Sequence, residues 1–408
     1  MIKRTLFLTA TGIGMSVGLA FAGAHTGVAP VEQGEKNVPE FEPAFEMQTR
    51  APAISNPVTL STETVVEGLA HPWGIEVLPG GGYLVTEREG RLRVIDAEGE
   101  LKAAIKGVPQ VLNMEQGGLL DVALAEDFEQ SRRIFFTYAK PMEGNMSATA
   151  AATGVLNADM TVLSEVEDIF VQDPPSPSPM HYGSRIVLDG DYAYVTTGEH
   201  FTQEERVLAQ DKGATYGKVI RVTLSGETPD DNPFVDEEGS VDTIWTLGHR
   251  NVQGADIHPE TGDLWTLEHG PQGGDELNLI EAGANYGWPE VSYGEQYGGA
   301  PIGTGEPRAE GFTEPRYYWD PVIAPGGFTF YEGEMFDWNG DVIASSLYPG
   351  GLVRLTLDGD RVNGEARYLA EELGRVRDIE VDADGSVLVL TDYADGAVIR
   401  VMPATASN

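Results

Sequence analysis

Cysteine is absent from the 408 residues. That excludes disulfides, thiolate nucleophiles, iron–sulfur clusters and covalently attached c-type haem, so the fold must rest on burial, perhaps helped by metal. Positive charge is scarce: 26 Lys and Arg face 65 Asp and Glu, a formal net charge of −39. Such a surface repels a polyanion, which argues against nucleic acid as a partner; the charge reads as surface solvation. Long helical periodicity is missing as well. No Gly-rich nucleotide loop stands between a strand and a helix, so nicotinamide and flavin have no support. The one GxSxG match, starting at Gly14, sits in the N-terminal apolar run and is no nucleophile elbow.

That run begins after Lys3 and Arg4, extends from Leu6 to Phe21, and meets small residues at Ala20-Phe21-Ala22 or Ala22-Gly23-Ala24. This is the layout of a secretory signal over residues 1–24, and it is short and Gly-rich for a lasting anchor. The protein is therefore expected to be periplasmic or secreted, with no stable membrane insertion after cleavage. Residues 25–57 hold Pro, Glu, Gln and Asn without any period and predict a flexible linker.

From residue 58 to about 404 one pattern recurs: a turn, then an apolar strand, often ending in Thr and an acid. It reads GGYLVTERE from Gly81, RRIFFTYA from Arg132, GDYAYVTTGE from Gly190, GDLWTLEHG from Gly262, GDVIASSLY from Gly340 and GSVLVLTDY from Gly385. Six units at this spacing favour an all-β, six-bladed β-propeller over a β-sandwich or two β domains. Loops at one end of such a ring converge although they are far apart in sequence.

Several residues have chemistry suited to that convergence. His181, at the mouth of a strand after a Pro-rich loop, has the ordinary pKa of a general base, although a lone His is more often structural. Arg250 offers a fork for an oxyanion or carboxylate, and Asn251 a donor for a carbonyl; a loop salt bridge is the plainer reading. In HGPQGGDE, carbonyls at the Gly270-Pro271 corner with Asp275, Glu276 and Tyr286 nearby suit a hard cation such as calcium, and zinc fits less well. Arg375 and Arg377 alternate on a strand and point to one side, toward an anion or merely toward surface acids.

The motifs HPWGIEVLPGG, QGGLLDVALAEDF, HYGSR, GHRNVQG, EHGPQGGDELNLI and RVRDIEVDADG stand in one order between about Leu69 and Met402. In this the sequence resembles the soluble glucose/sorbosone dehydrogenases, most closely the aldose sugar dehydrogenases that use pyrroloquinoline quinone (PQQ). The resemblance implies a six-bladed propeller that oxidises aldoses at C1 to lactones and passes electrons to an external acceptor. It implies His181 as the base, with Gln116, Arg250, Asn251, Arg375 and Arg377 on the quinone. It further implies that the carbonyls of Gly270 and Pro271 bind the calcium on PQQ, and that Glu276 and the Tyr286 carbonyl bind a second calcium. Two positions depart from the family: Tyr348 replaces a Lys that reaches PQQ, and Met180 replaces the usual Asn or Asp before the His. A phenol brings a donor but no permanent charge. Two other readings use the same scaffold: a calcium-dependent lactonase or other enzyme, and a non-catalytic propeller that binds sugar or a partner.

Overall fold

A strand buried on both faces carries an unbroken apolar run, and the six recurring segments are such strands. In the computed structural model, which describes residues 28–404, they are Tyr83–Glu87, Arg133–Met142, Tyr192–Thr197, Leu264–Glu268, Val342–Ser346 and Val387–Thr391. Each is the second strand of a separate antiparallel sheet. Its successive side chains face the two neighbouring sheets in turn. Leu84, for example, packs toward the next blade and Val85 toward the previous one. Six apolar clusters result, one between each adjacent pair of blades.

The architecture is a six-bladed β-propeller. Five sheets have four strands and the first has three. The inner strands are Pro72–Val77, Leu119–Leu124, Gly183–Asp189, Val252–Ile257, Pro325–Phe330 and Val376–Val381, and each abuts the next around the axis. The ring is closed by Leu60–Leu69, which pairs antiparallel with Gly396–Pro403 and so completes the last blade with the first strand of the chain. This pairing ties the two ends of the ring together, with Leu60–Leu69 as the outer strand of the last blade. No helix among the described residues is long and apolar enough to cross a membrane.

One register rule places the functional end. In five blades the first residue of the inner strand pairs with the last of the second: Pro72 with Glu87, Gly183 with Thr197, Val252 with Glu268, Pro325 with Ser346, and Val376 with Thr391; in the other, Leu119 pairs with Tyr138 and the longer second strand runs on to Met142. A bulge follows each pair just inside the mouth. Bulges re-aim side chains and are frequent beside active sites. Residues just before an inner strand and just after a second strand therefore meet at one face. Below them Arg185 closes the axial channel. It pairs with Asp121 and Asp378 at 2.8 Å each, and its Nε donates to the Gln253 carbonyl.

The linker expectation needs correction. The signal (1–24) lies outside the described residues, but residues 30–57 do not hang free. Gln48 and Ala51 are fully buried. Gln48 Nε2 donates to Glu314 and the Pro315 carbonyl, the Tyr318 amide donates to the Gln48 carbonyl, and the Ala51 amide donates to the Tyr317 hydroxyl. The segment covers the three-residue outer strand Tyr317–Trp319 of the fourth blade. It is held by side chain to backbone hydrogen bonds, which need no hydrophobic period.

Candidate active site

The register rule gathers His181, Arg250, Asn251 and Gln116 around a cavity of about 350 Å³ at the mouth of the propeller. Arg375 and Arg377 enter from the last blade. Six of the expected residues thus meet, from four different blades.

His181 is buried and held in the left-handed region at φ 46°, a costly conformation for a residue with a Cβ. Two amides fix it there. The His181 N–H donates to Gln116 Oε1 at 2.8 Å, and the Gly183 N–H donates to Asn251 Oδ1 at 3.0 Å. Gly198 lies so close beneath that a Cβ there would sit 1.9 Å from the His181 carbonyl oxygen. Gln116 and Asn251 therefore use their oxygens on the His181 turn. Their NH₂ groups have no partner among the described residues.

The imidazole Nδ1 is 3.2 Å from Glu199 Oε1. A carboxylate there accepts from Nδ1–H, which leaves Nε2 with its lone pair and no protein partner. Burial, together with the nearby Arg250 charge, holds the His181 pKa below its ordinary value, against the opposing pull of Glu199. Burial alone would raise the Glu199 carboxyl, but His181 and Arg250 outweigh it and keep it below the usual range. The base is neutral and its partner ionised at neutral pH.

Arg250 Nη1 donates to the carbonyls of His269 at 3.0 Å and Gly270 at 2.7 Å. Its buried Nε makes no hydrogen bond but lies 3.9 Å from Glu199 Oε1, and the buried Nε atoms of Arg88 and Arg377 make no hydrogen bond either. All three residues line the cavity. With Arg375 they bring four guanidiniums to one cavity, a concentration of positive charge that fits an anionic ligand. Arg375 and Arg377 are both within 2.8 Å of Asp392 Oδ2, and His269 and Arg377 share Gln253 Oε1. Tyr348 is not brought in. It is 68% exposed and does not line the cavity, although its neighbour Leu347 does.

The Gly270-Pro271 corner borders a second, very small void of about 20 Å³, lined also by Glu268, Glu276 and Tyr286. Burial and the nearby Glu268 push the Glu276 carboxyl well above its ordinary value. Asn278 Nδ2 donates to Glu268 at 3.0 Å and to Glu276 at 3.3 Å. Two crowded carboxylates beside backbone carbonyls suit a hard cation. No cluster of three or more His, Asp or Glu side chains suited to a metal occurs among the described residues, so any site here depends on main-chain oxygens.

The sequence matches the glucose/sorbosone dehydrogenase profile over residues 69–400. The chain belongs to the glucose/sorbosone dehydrogenase family. It is 38% identical to the aldose sugar dehydrogenase YliI of Escherichia coli K12 over 352 residues, 85% of this chain and 94% of that one. Among solved structures it is similar to the apo form of the soluble aldose sugar dehydrogenase of Escherichia coli, with a TM-score of 0.81 at 38% identity, covering 85% of this chain and all of the other. It is also similar to the PQQ-bound aldose sugar dehydrogenase of Streptomyces coelicolor, with a TM-score of 0.69 at 28% identity, covering 85% and 99%.

Five residues of this site were given no role in it by sequence reasoning: Arg88, Glu199, Gln253, Asp392 and His269, the last weighed only as a zinc ligand. Four of them follow a second strand within two residues. The recurring strand ending in Thr and an acid was their signal, once the register above assigns that end to the mouth.

Proposed function

We propose that this protein oxidises aldose sugars at C1 to lactones, using PQQ and calcium, and hands the electrons to an external acceptor. The observation that carries this is the pairing of a neutral, oriented His181 with four guanidiniums around one cavity. The residues fit the cofactor: Arg88, Arg250, Arg375 and Arg377 bring positive charge to the cavity for a planar tricarboxylate, and Gln116 and Asn251, whose oxygens hold the His181 turn, keep NH₂ groups at its lining. They fit calcium at the Gly270 and Pro271 carbonyls, and a second calcium at Glu276 and the Tyr286 carbonyl.

Bound PQQ supplies the two-electron acceptor for hydride, with calcium polarising the accepting carbonyl. The chain does the rest. His181 Nε2 takes the proton of the C1 hydroxyl as hydride leaves the same carbon, so the sugar loses one proton and one hydride and becomes the lactone. Glu199 holds the ring and balances the imidazolium that forms. Arg250 places fixed positive charge beside the reacting centre. A groove of about 450 Å³, walled by Phe201, Trp288 and Tyr297, adjoins the cavity and shares Arg250 with it. Aromatic faces with amides between them suit a pyranose. The N-terminal apolar run supports export, which places the sugars met in the periplasm or outside the cell.

The test is reconstitution. Purified protein with PQQ and calcium should reduce an artificial dye when aldoses are added, and should fail without PQQ. Sugar-lactone hydrolysis in its absence would favour the lactonase instead.

A further inference from the structure

The corner that carries Gly270 and Pro271 is not held by its own blade alone. From within, the Gly270 amide donates to Asp275 Oδ1, and Asp275 Oδ2 accepts from the amides of Ile323 and Ala324, all at 2.7 Å. From outside, the N-terminal segment reaches it twice. Asn37 Oδ1 accepts from Gln272 Nε2 at 3.3 Å. Asp320, 1% exposed, packs under Gly273, where an added Cβ would lie 2.8 Å from its Oδ1. Among the described residues every hydrogen-bond donor to that carboxylate comes from the segment: the Asn37 backbone N–H at 2.8 Å, Asn37 Nδ2 at 2.7 Å, and the Val38 backbone N–H at 3.0 Å. A buried carboxylate is strongly disfavoured without such donors. Asp320 follows Trp319, whose carbonyl accepts from the Gly274 amide at 2.8 Å.

From this we infer that residues 33–50 form a strap that sets the Gly270–Asp275 corner, with Asn37 as its positioning residue. The strap fixes where the Gly270 and Pro271 carbonyls point, without touching cation, cofactor or sugar. This rests on the calcium reading above, since the carbonyls it places are the ones expected to hold the cation. Outer-shell hydrogen bonds of this kind typically change metal affinity by about 10–100-fold.

The experiment measures calcium affinity calorimetrically on the full chain, and thermal stability without calcium, for Asn37→Ala and Gln33→Ala. Gln33 anchors the same strap to Glu365 at 2.8 Å on the next blade, away from the corner. Asn37→Ala should bind calcium at least tenfold more weakly than the parent, while Gln33→Ala lowers stability and leaves affinity within twofold. Equal affinity losses in the two variants, or none in Asn37→Ala, overturn the inference. Should Asn37→Ala not fold, Gln272→Ala removes the direct contact and must itself weaken binding for the inference to stand. Parent protein that binds no calcium would refute the calcium reading instead, a separate result.

Discussion

His181 Nδ1 lies 3.2 Å from Glu199 Oε1, and the two residues sit on the same blade, one just before its inner strand and one just after its second. The pair is thus made by the antiparallel register, which brings residues eighteen apart in sequence to the same mouth. The Phe201 amide donates to the other oxygen of Glu199, so both faces of the carboxylate are occupied and the imidazole has one orientation. Edge contact with the Phe201 ring, at 5.0 Å between centroids, supports it from the side.

If His181 is the base, His181→Ala should lower kcat by about 10²–10⁴-fold, the usual worth of a positioned acid–base group. Affinity for the quinone, followed by its absorbance on titration, should change little, because the guanidinium donors remain. An unchanged kcat with weakened quinone binding would make His181 a ligand contact and nothing more.

Glu199 acts through His181, and pH separates that role from a structural one. The folded-state pKa of His181 is below its ordinary value, through burial first and Arg250 second. Protonation inactivates the base, so the acid limb of kcat/KM should fall below about pH 6.5, the unperturbed value. Glu199 is the one charge that opposes the shift. Glu199→Gln should therefore move the acid limb to still lower pH, while reducing kcat on the plateau. A limb that stays in place, or moves up, contradicts the assigned electrostatics.

Calcium should release protons. The Glu276 carboxyl is raised well above its ordinary value by burial and by Glu268, so without cation it carries a proton at a pH where an exposed Glu has lost it. Cation binding needs the carboxylate and expels that proton. Calorimetry in two buffers of different ionisation enthalpy should give different heats, and apparent affinity should rise with pH. Glu276→Gln should abolish the buffer dependence. At a hundredfold excess over Kd the bound cation should add about 2.7 kcal/mol of stability, read as a raised unfolding midpoint. Identical heats in both buffers would count against Glu276 as a ligand.

What could be read from the sequence follows from what leaves a local trace. The second strands did, because burial on both faces demands unbroken runs such as YLV and IFF. His181, Arg250 and Arg377 did, because they flank strands in recognisable motifs. Arg88 and Asp392 did not: Arg88 meets the guanidiniums of Arg375 and Arg377 and the carboxylate of Asp392 only across the ring closure, and Asp392 pairs with Arg375 and Arg377 only through the turn of its own blade, a register no local pattern fixes. Tyr348 misled for the converse reason. It was expected at the quinone because it stands at the family's Lys position, but a matching position in a motif does not fix where a different side chain lies, and Tyr348 is exposed outside the cavity lining. The strap over residues 30–57 looked like a linker because Asn37, Gln48 and Arg50 hold it through main-chain and carboxylate partners, a mode of anchoring that is silent in composition.

Lys218 offers a last, independent check on the architecture beside the groove walled by Phe201, Trp288 and Tyr297. It is fully buried, and its Nζ donates to the carbonyls of Leu208 and Ala209 at 2.9 Å and of Tyr216 at 2.6 Å. Leu208 and Ala209 belong to the short 3₁₀ segment Arg206–Gln210, and Arg206 lines the groove. Burial pulls the Lys218 pKa down to about 7, with Asp211 opposing. Between there and about 10.4, the value in an unfolded chain, the unfolded state holds a proton that the folded state has released. Unfolding free energy must then rise with pH across this window. The burial penalty on the charged form is fully present below it. Lys218→Met lacks the group, so the stability of the parent minus that of the variant, from urea midpoints, should climb from pH 7 to 10. Other titrating groups cancel in that difference. A flat difference would mean that three carbonyls suffice to keep the ammonium charged, and that its pKa is not depressed.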